Sequence, residues 1–270
     1  MATRPDLSGR SALVTGASGG VGRAIAQALH RQGASVIVHG RRQDVLEDLA
    51  HELGDRVDVA VADLADREDV DRLADRVAGV DILVANAGLP GSGELTDYSR
   101  ADADRVLDVN LGSPVRLTHA LLPSMLDRGR GHLVYISSIA GKTPSVGASL
   151  YAATKFGLRG FALALHEDLR NTGVGATAVF PGFIAETGLW GDTGLKLPAG
   201  SGRLRTPDDV ADAVLEGIAT NKPEIDVAPI VQRSGGWLTG FAPRLVAASI
   251  RAGGGAKLSK ALAEAQRDKR

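Results

Sequence analysis

Short runs of aliphatic and β-branched residues alternate with amphipathic stretches along the first 180 residues. The runs predict buried strands at 11–15, 35–39, 56–62, 81–86, 132–137 and 175–180. The amphipathic stretches predict helices near 20–32, 42–53, 66–78, 97–109, 111–128 and 150–171. Strands that alternate with helices are typical of βαβ units. We therefore expect an α/β fold, a doubly wound parallel sheet of about seven strands with helices on both faces, in three α/β/α layers.

The periodicity is lost in residues 181–207, which are rich in glycine and polar residues. A stretch of this length without a pattern is usually a functional loop, so we expect a substrate loop at about 182–205. A further helix should begin after Thr206, a favourable N-cap residue that is followed by Pro207. Residues 224–230 are a further candidate strand.

The C-terminal part, about 230–270, differs again and predicts an apolar helix, a glycine break and a charged tail. From Lys257 to Arg270, five basic residues face two acidic ones. This tail has two interpretations, a solvated and frayed end or a contact with a partner or a membrane surface. We treat residues 1–270 as a single domain with this atypical extension.

The composition excludes several classes of site. There is no cysteine, which excludes disulfides, thiolate zinc sites and cysteine nucleophiles. The six histidines are scattered without metal-ligand spacing, so we expect no metal.

A net charge of −1 gives no reason to expect a nucleic-acid partner. The N-terminus lacks the apolar core of a secretory signal and no run approaches the ~18 residues of a membrane span, so we expect a cytoplasmic protein. Aromatic residues make up only 4%, so the core should consist of Ala, Val, Leu and Ile.

A glycine-rich turn follows the first predicted strand and precedes the first predicted helix. Gly16 permits a tight turn, Gly20 permits close approach of a pyrophosphate, and Gly22 allows the helix to pack on the strand. The helix N-terminus would offer amide groups to an anion. These features predict a dinucleotide site; the alternative is a turn that only packs.

Gly40 directly follows the second predicted strand, at the position where NAD-binding proteins carry an acidic residue for the adenine ribose. Arg41 and Arg42 follow instead, and arginine binds phosphate through two parallel hydrogen bonds. We therefore expect NADP(H), with its 2′-phosphate, rather than NAD(H). Either arginine could instead be a solvated residue at the start of a helix.

Tyr151 precedes Lys155 by four residues in a predicted helix, so the phenol and the ammonium share a face. The spacing alone has two interpretations, an ordinary helix pair or a proton-transfer group beside the cation that lowers its pKa.

In combination, these and further motifs resemble the short-chain dehydrogenase/reductase family over about residues 8–220. The matching stretches, in the family's order, are TGASGGVG (15–22), ADL (62–64), ANAG (85–88), VNLGSP (109–114), ISSIAG (136–141), YAATK (151–155) and PGFIAET (181–187). The resemblance implies a Rossmann-type NAD(P)-binding domain and an oxidoreductase.

The resemblance implies a catalytic set of Asn110, Ser138, Tyr151 and Lys155. Tyr151 would be the general acid/base, Lys155 would tune it and hold the nicotinamide ribose, Ser138 would donate to the substrate oxygen, and Asn110 would hold a water linked to Lys155. Asn110 could instead cap the helix that follows it. Ser137 faces the other side of the strand and is the weaker candidate.

The residues expected to bind the cofactor include this Tyr–Lys pair and lie at the carboxyl ends of the predicted strands. They are Gly16, Ser18, Gly20, Val21, Gly22, Arg41, Arg42, Asp63, Leu64, Asn86, Ala87, Gly88, Tyr151, Lys155, Pro181, Gly182, Ile184 and Thr187. For Asp63, a turn residue that binds nothing is the alternative.

Three features depart from the family pattern. Ala85 replaces the usual first Asn of the fourth-strand motif, and Thr187 falls one residue later than usual. The C-terminus lacks the usual ending, so a tail-mediated tetramer is not carried over directly. We expect a homodimer through the helices near 111–128 and 150–171, with a homotetramer as the alternative.

The sequence therefore predicts an NADP(H)-dependent enzyme that transfers hydride between nicotinamide and a carbonyl or secondary alcohol. Glycine and leucine in the substrate loop favour an apolar small molecule, and neither a nucleic acid nor a membrane span is expected. Two alternatives stay open, an NAD-preferring dehydrogenase of the same family and a nucleotide-binding sensor or scaffold without activity.

Overall fold

All the strands predicted before residue 181 form, and they join one parallel sheet with the candidate strand after residue 224. The computed structural model describes residues 4–144, 146–185, 193–195, 202–252 and 255–266. The strands are β1 (Ser11–Thr15), β2 (Ser35–Gly40), β3 (Val57–Val61), β4 (Ile82–Ala85), β5 (Gly131–Ile136), β6 (Val174–Pro181) and β7 (Glu224–Val227).

The helices between the strands match the predicted ones to within a few residues. The helices are α1 (Gly20–Arg31), α2 (Gln43–Leu53), α3 (Arg67–Arg76), α4 (Arg100–Leu107), α5 (Ser113–Asp127), α6 (Ser149–Asp168), α7 (Pro207–Thr220), α8 (Ile230–Thr239), α9 (Pro243–Ala252) and α10 (Gly255–Ala265). The predicted N-cap of α7 is confirmed, because the Thr206 hydroxyl accepts the Asp209 amide at 3.2 Å.

The strand order β3-β2-β1-β4-β5-β6-β7 reverses between β1 and β4. In an open α/β sheet, this reversal opens a crevice at the carboxyl ends of the two strands, where ligands bind. The order and the parallel pairing confirm the predicted doubly wound sheet.

Each face of the sheet has its own hydrophobic core, because successive strand side chains point to opposite faces. Val14 and Val84 pack on one face with α1, α2 and α7. Leu13 and Leu83 pack on the other face with α3, α5 and α6. The predicted three layers are therefore confirmed.

The C-terminal prediction was wrong in two respects. Instead of one apolar helix and a charged tail, the described residues form α8, α9 and α10. Pro243 begins α9 and cannot continue α8, which accounts for the break. The described part of the tail, up to Gln266, is helical rather than frayed, since Gln266 is only 4% exposed and α10 reaches Gly147, where an added Cβ would lie 2.1 Å from the Ser259 Oγ.

Candidate active site

The glycine-rich turn lies at the reversal of strand order. Gly16 adopts φ +68°, and a Cβ added there would lie 2.8 Å from the Cα of Ala87, which follows β4. A Cβ on Gly22 would lie 2.3 Å from the Gly16 carbonyl oxygen. The N-cap of α1 is Gly19, and no described side chain hydrogen-bonds the amides of its first turn. The first turn also carries no acidic residue. The turn therefore brings the helix dipole and amide groups to the crevice, as a pyrophosphate requires.

Thr15 and Asn86 tie the two loops of the crevice together. The Thr15 hydroxyl accepts the amides of Asn86 and Ala87, each at 3.0 Å. The Asn86 side chain donates to the Thr15 carbonyl at 2.8 Å. Ala85, which departs from the family motif, is buried at the end of β4. The crevice walls are thus held by hydrogen bonds across strands that are far apart in sequence.

At the end of β2, Gly40 leaves room beside the glycine-rich turn. A Cβ on Gly40 would lie 3.0 Å from the Ser18 Oγ. The Arg42 guanidinium donates to the Ser18 carbonyl at 2.6 Å, and both Arg41 and Arg42 are exposed. Two exposed arginines therefore follow Gly40, and the guanidinium of Arg42 contacts the glycine-rich turn.

Asp63 is held by a residue that the sequence did not indicate. Arg105 of α4 contacts both Asp63 carboxylate oxygens, at 2.9 and 3.2 Å. Burial opposes ionisation of Asp63, but hydrogen bonds from the Ala65 amide and from Arg105 outweigh it and hold the Asp63 pKa below its ordinary value. Leu64 is buried in the adjoining core. No local spacing could reveal Arg105, which lies 42 positions from Asp63.

Two adjacent serines after β5 face opposite sides. Ser138 is extended, accepts the Ala140 amide at 3.1 Å and lies near enough to the Tyr151 phenol to act on its pKa. Ser137 is buried and donates to the Lys155 carbonyl at 3.0 Å. Strand alternation therefore directs Ser138 to the phenol and makes Ser137 an anchor for α6.

Tyr151 and Lys155 lie one turn apart on α6. The Lys155 ammonium is buried, donates to the Ile136 carbonyl at 2.9 Å and lies 5.6 Å from the centre of the Tyr151 ring. Burial lowers the pKa of Lys155 to about 8. Burial raises the pKa of Tyr151 to about 12, and the Ser138 hydrogen bond acts in the opposite direction. Removal of the phenol from water is therefore the largest influence on its pKa in this structure, and the expected acidification by Lys155 stays a prediction.

Asn110 lies in a π-helical turn, Asp108–Gly112, that joins α4 to α5. Its side chain accepts the Leu89 amide at 2.7 Å and donates to the Leu89 carbonyl at 3.0 Å. It therefore fixes the loop after β4 rather than capping α5. An added Cβ on Gly88 would lie 3.5 Å from the Asn110 Oδ1 and 3.7 Å from the Lys155 Nζ, so Gly88 lies beside both side chains. π-Turns within helices are frequent at functional sites.

Gly91 is a site residue that the sequence analysis missed. A Cβ at Gly91 would lie 2.8 Å from both the backbone N and the Cβ of Tyr151. The loop after β4 can therefore rest on the start of α6 only because residue 91 lacks a side chain. The glycines of the LPGSG stretch (89–93) were the available signal.

The chain after β6 borders the same crevice. The Gly182 amide donates to the Val227 carbonyl at 3.0 Å, and Ile184 forms an isolated parallel bridge with Arg205. Pro181 ends β6 and is buried. Thr187, the other candidate from this stretch, lies outside the described residues.

Within the described residues, no group of histidine and acidic side chains could hold a metal ion. None of the helices described here combines the length and apolarity that a bilayer crossing requires.

Comparison with known proteins identifies the family. The family model described as short chain dehydrogenase matches residues 10–196. The chain is a short-chain dehydrogenase/reductase. Nodulation protein G of Rhizobium sp. (strain N33) is 45% identical over 183 residues, which cover 66% of this chain and 75% of that protein. An uncharacterized oxidoreductase of Staphylococcus aureus (strain N315) is 35% identical over 233 residues, covering 83% and 99%.

Solved structures of this short-chain dehydrogenase/reductase family share the architecture. A short-chain dehydrogenase from Sphingobium yanoikuyae in complex with NADPH superposes with a TM-score of 0.77 at 28% identity, over 87% of this chain and 94% of that one. The predicted family is therefore confirmed, and the chain is an NAD(P)-dependent dehydrogenase/reductase.

Proposed function

We propose that the chain transfers hydride between NADP(H) and a small carbonyl compound or the corresponding secondary alcohol. One observation carries the proposal: the buried Lys155 ammonium donates to the last carbonyl of β5 at 2.9 Å and lies 5.6 Å from the centre of the Tyr151 ring, on the side of the turn that begins at Ser138. Two hydroxyl donors and a cation together fit a carbonyl oxygen that gains negative charge during reduction.

When bound, the nicotinamide cofactor would supply a hydride to the carbonyl carbon, and Tyr151 and Lys155 are among the residues that would hold it. Ser138 donates a hydrogen bond to the carbonyl oxygen, and Tyr151 transfers its phenolic proton to that oxygen, which gives the alcohol. The Lys155 ammonium stabilises the tyrosinate that remains, and the phenol regains its proton from solvent. Asn110 keeps the Leu89 loop in place and so positions Gly88 against Lys155.

The pKa values favour the reductive direction. With a pKa near 12, the Tyr151 phenol carries its proton across neutral pH and is ready to act as an acid. With a pKa near 8, Lys155 is still mostly charged at pH 7. Alcohol oxidation would require the phenolate first, which burial disfavours.

The choice of NADP(H) rests on Arg41 and Arg42, which are exposed at the end of β2 where Gly40 replaces an acidic residue. A relative of similar fold was solved with NADPH, which agrees with this assignment. The alternatives are an NAD preference and a sensor without turnover. The apolar nature of the substrate, the cytoplasmic location and the dimer through α5 and α6 stay predictions.

A substrate panel tests the proposal. Ketones, aldehydes, quinones and secondary alcohols are screened by nicotinamide absorbance with NADPH, NADP⁺ and the phosphate-free cofactors. We expect oxidation of NADPH with at least one carbonyl class and formation of one alcohol per NADPH consumed. NADPH binding without turnover on any class would favour the sensor, and turnover only with NADH would favour the NAD-preferring enzyme.

A further inference from the structure

Helices α8 and α9, and Phe241 in the turn between them, expose large apolar side chains to solvent. Their exposed fractions are Ile230 80%, Val231 63%, Leu238 45%, Phe241 77% and Leu245 73%. Ile230 and Val231 lie seven to eight positions before Leu238 on α8 and share its face. Water-exposed apolar side chains this close together usually mark an interaction surface.

The same part of the chain carries a charge opposite to the rest. Residues 230–270 contain eight of the 31 lysines and arginines but two of the 32 acidic residues, so this segment has a net charge of +6 and the remainder has −7. A net charge of −1 for the whole chain conceals this division. Charge asymmetry within one chain indicates a polyanionic partner.

Several of these cations are available to a partner. Arg244, Lys257 and Lys260 are exposed, and none of them forms an ion pair with another described residue. Arg233 has a longer contact, 3.6 Å to Asp226. Arg244 directly precedes the exposed Leu245, so charge and apolar surface are adjacent on α9.

The segment lies at the rim of the catalytic crevice. A Cβ on Gly182, after β6, would lie 2.3 Å from the Gln232 Oε1 of α8. A Cβ on Gly236 of α8 would lie 2.9 Å from the Cβ of Lys142, which follows the Ser138 turn. A partner on these helices would therefore lie beside the crevice.

We propose that α8 to α10 form a docking surface for an anionic lipid bilayer, which the protein binds at the interface without crossing. The apolar side chains would enter the headgroup boundary, while the cations contact anionic headgroups. A second copy of the chain fits less well, because a symmetric contact would bring two +6 segments together. A nucleic acid would satisfy the cations but leave the apolar side chains in water.

Flotation with vesicles tests this surface. The full-length protein is mixed with phosphatidylcholine vesicles, with or without about a third phosphatidylserine. We expect binding to the anionic vesicles and much weaker binding to the neutral ones. The triple variant Arg244→Gln, Lys257→Gln, Lys260→Gln should bind roughly 100-fold more weakly, since each cation near such a surface contributes about 1 kcal/mol. The triple variant Arg31→Gln, Arg67→Gln, Arg100→Gln removes three exposed charges elsewhere and should bind as the wild type does.

The apolar contribution is tested separately by the double variant Ile230→Ser, Leu245→Ser, with Leu95→Ser, an apolar side chain that is 59% exposed outside α5 and α6, as the control. We expect the double variant to lose at least tenfold in vesicle binding and the control to lose none. Failure to float with anionic vesicles would overturn the proposal. Vesicle binding by the double variant that equals that of the wild type would also overturn it. A dimer that the double variant dissolves, without vesicle binding, would instead assign the surface to a second copy. Vesicle binding needs no turnover, so its result is independent of the proposed reaction.

Discussion

Tyr151 shows how one residue's chemistry depends on contacts that lie far away in the sequence. Each unit by which its pKa exceeds the ordinary value favours the protonated phenol by about 1.4 kcal/mol. The burial that causes this shift comes partly from the loop at Gly91, which rests directly on the Tyr151 backbone. The i, i+4 spacing predicted that Tyr151 and Lys155 share a helix face. The direction of the pKa shift could not be predicted, because burial by a loop some 60 positions away leaves no local pattern.

Arg41 and Arg42 give a prediction about cofactor choice. Replacing both by alanine removes two cations from the expected 2′-phosphate position, and a charged hydrogen bond contributes about 1.5–3 kcal/mol. We expect kcat/KM for NADPH to fall roughly 10- to 100-fold while kcat/KM for NADH changes less than threefold. Initial rates with both cofactors measure this.

Arg170→Ala is the matched control for this cofactor prediction. Arg170 is an exposed arginine that pairs with Glu167 beyond the end of α6, and its loss should leave both values unchanged. An equal loss of NADPH and NADH efficiency in the double variant would contradict the assignment of the two arginines.

At the scale of the element, β7 is tied to the catalytic turn by ion pairs. The Lys142 ammonium contacts Glu224 at 2.9 Å and Asp226 at 2.6 Å, and it lies 3.9 Å from the centre of the Phe180 ring. Lys142 is only 8% exposed. This network joins the turn after Ser138 to the edge strand, so it links the catalytic turn to the sheet.

Lys142→Met keeps the length of the side chain but removes the positive charge that pairs with the carboxylates of Glu224 and Asp226. Removing one partner from a buried ion pair is strongly destabilising, and we expect a loss of about 3 kcal/mol in the free energy of unfolding. Urea denaturation measures it. Lys222→Met is the control, since Lys222 forms an exposed pair with Glu216 and should cost about 0.5 kcal/mol or less. Equal losses in the two variants would show that the ion pairs of Lys142 stabilise the fold no more than an exposed ion pair does.

Hydrophobic periodicity was sufficient to predict some of the helices and strands but not others. Strong periodicity predicted β1 to β6 and most helices, because the side chains that repeat are the ones that the sheet buries. The continuous passage from α4 through the π-turn to α5 was not predicted, because it depends on Asn110 bonding Leu89 rather than on periodicity. The pair α8 and α9 was missed because their outer faces stay apolar, which conceals the break at Pro243.

At the scale of the whole molecule, two buried histidines make stability depend on pH. Burial lowers the pKa of His39 to about 4, despite the opposing influence of Asp63 and Asp69. Burial, with a smaller contribution from His166, lowers the pKa of His132 to about 4. Because these values lie below the 6.5 of an unfolded chain, the unfolded state binds more protons between pH 6.5 and 4. Stability is therefore complete above pH 6.5 and is lost as the pH falls.

We expect the free energy of unfolding to fall by roughly 2 kcal/mol per buried histidine between pH 7.5 and pH 5. Urea denaturation across this range measures the fall. His132→Gln retains a donor towards Thr177 and should remove about half of the dependence, whereas the exposed His51→Gln should leave it unchanged. A stability that is constant down to pH 5 would contradict the burial of neutral imidazoles.

The central claim is that the Tyr151 phenol transfers the proton to the substrate oxygen. The most direct measurement is kcat for Tyr151→Phe on the best carbonyl from the panel, together with NADPH affinity and the far-UV spectrum. Tyr135→Phe is the matched control, because it removes a buried phenol oxygen that bonds Thr118 instead of Ser138. We expect kcat to fall at least 1000-fold for Tyr151→Phe, with the fold and NADPH binding retained. For the Tyr135→Phe control we expect kcat to change less than threefold. A Tyr151→Phe enzyme that keeps its kcat would contradict the account.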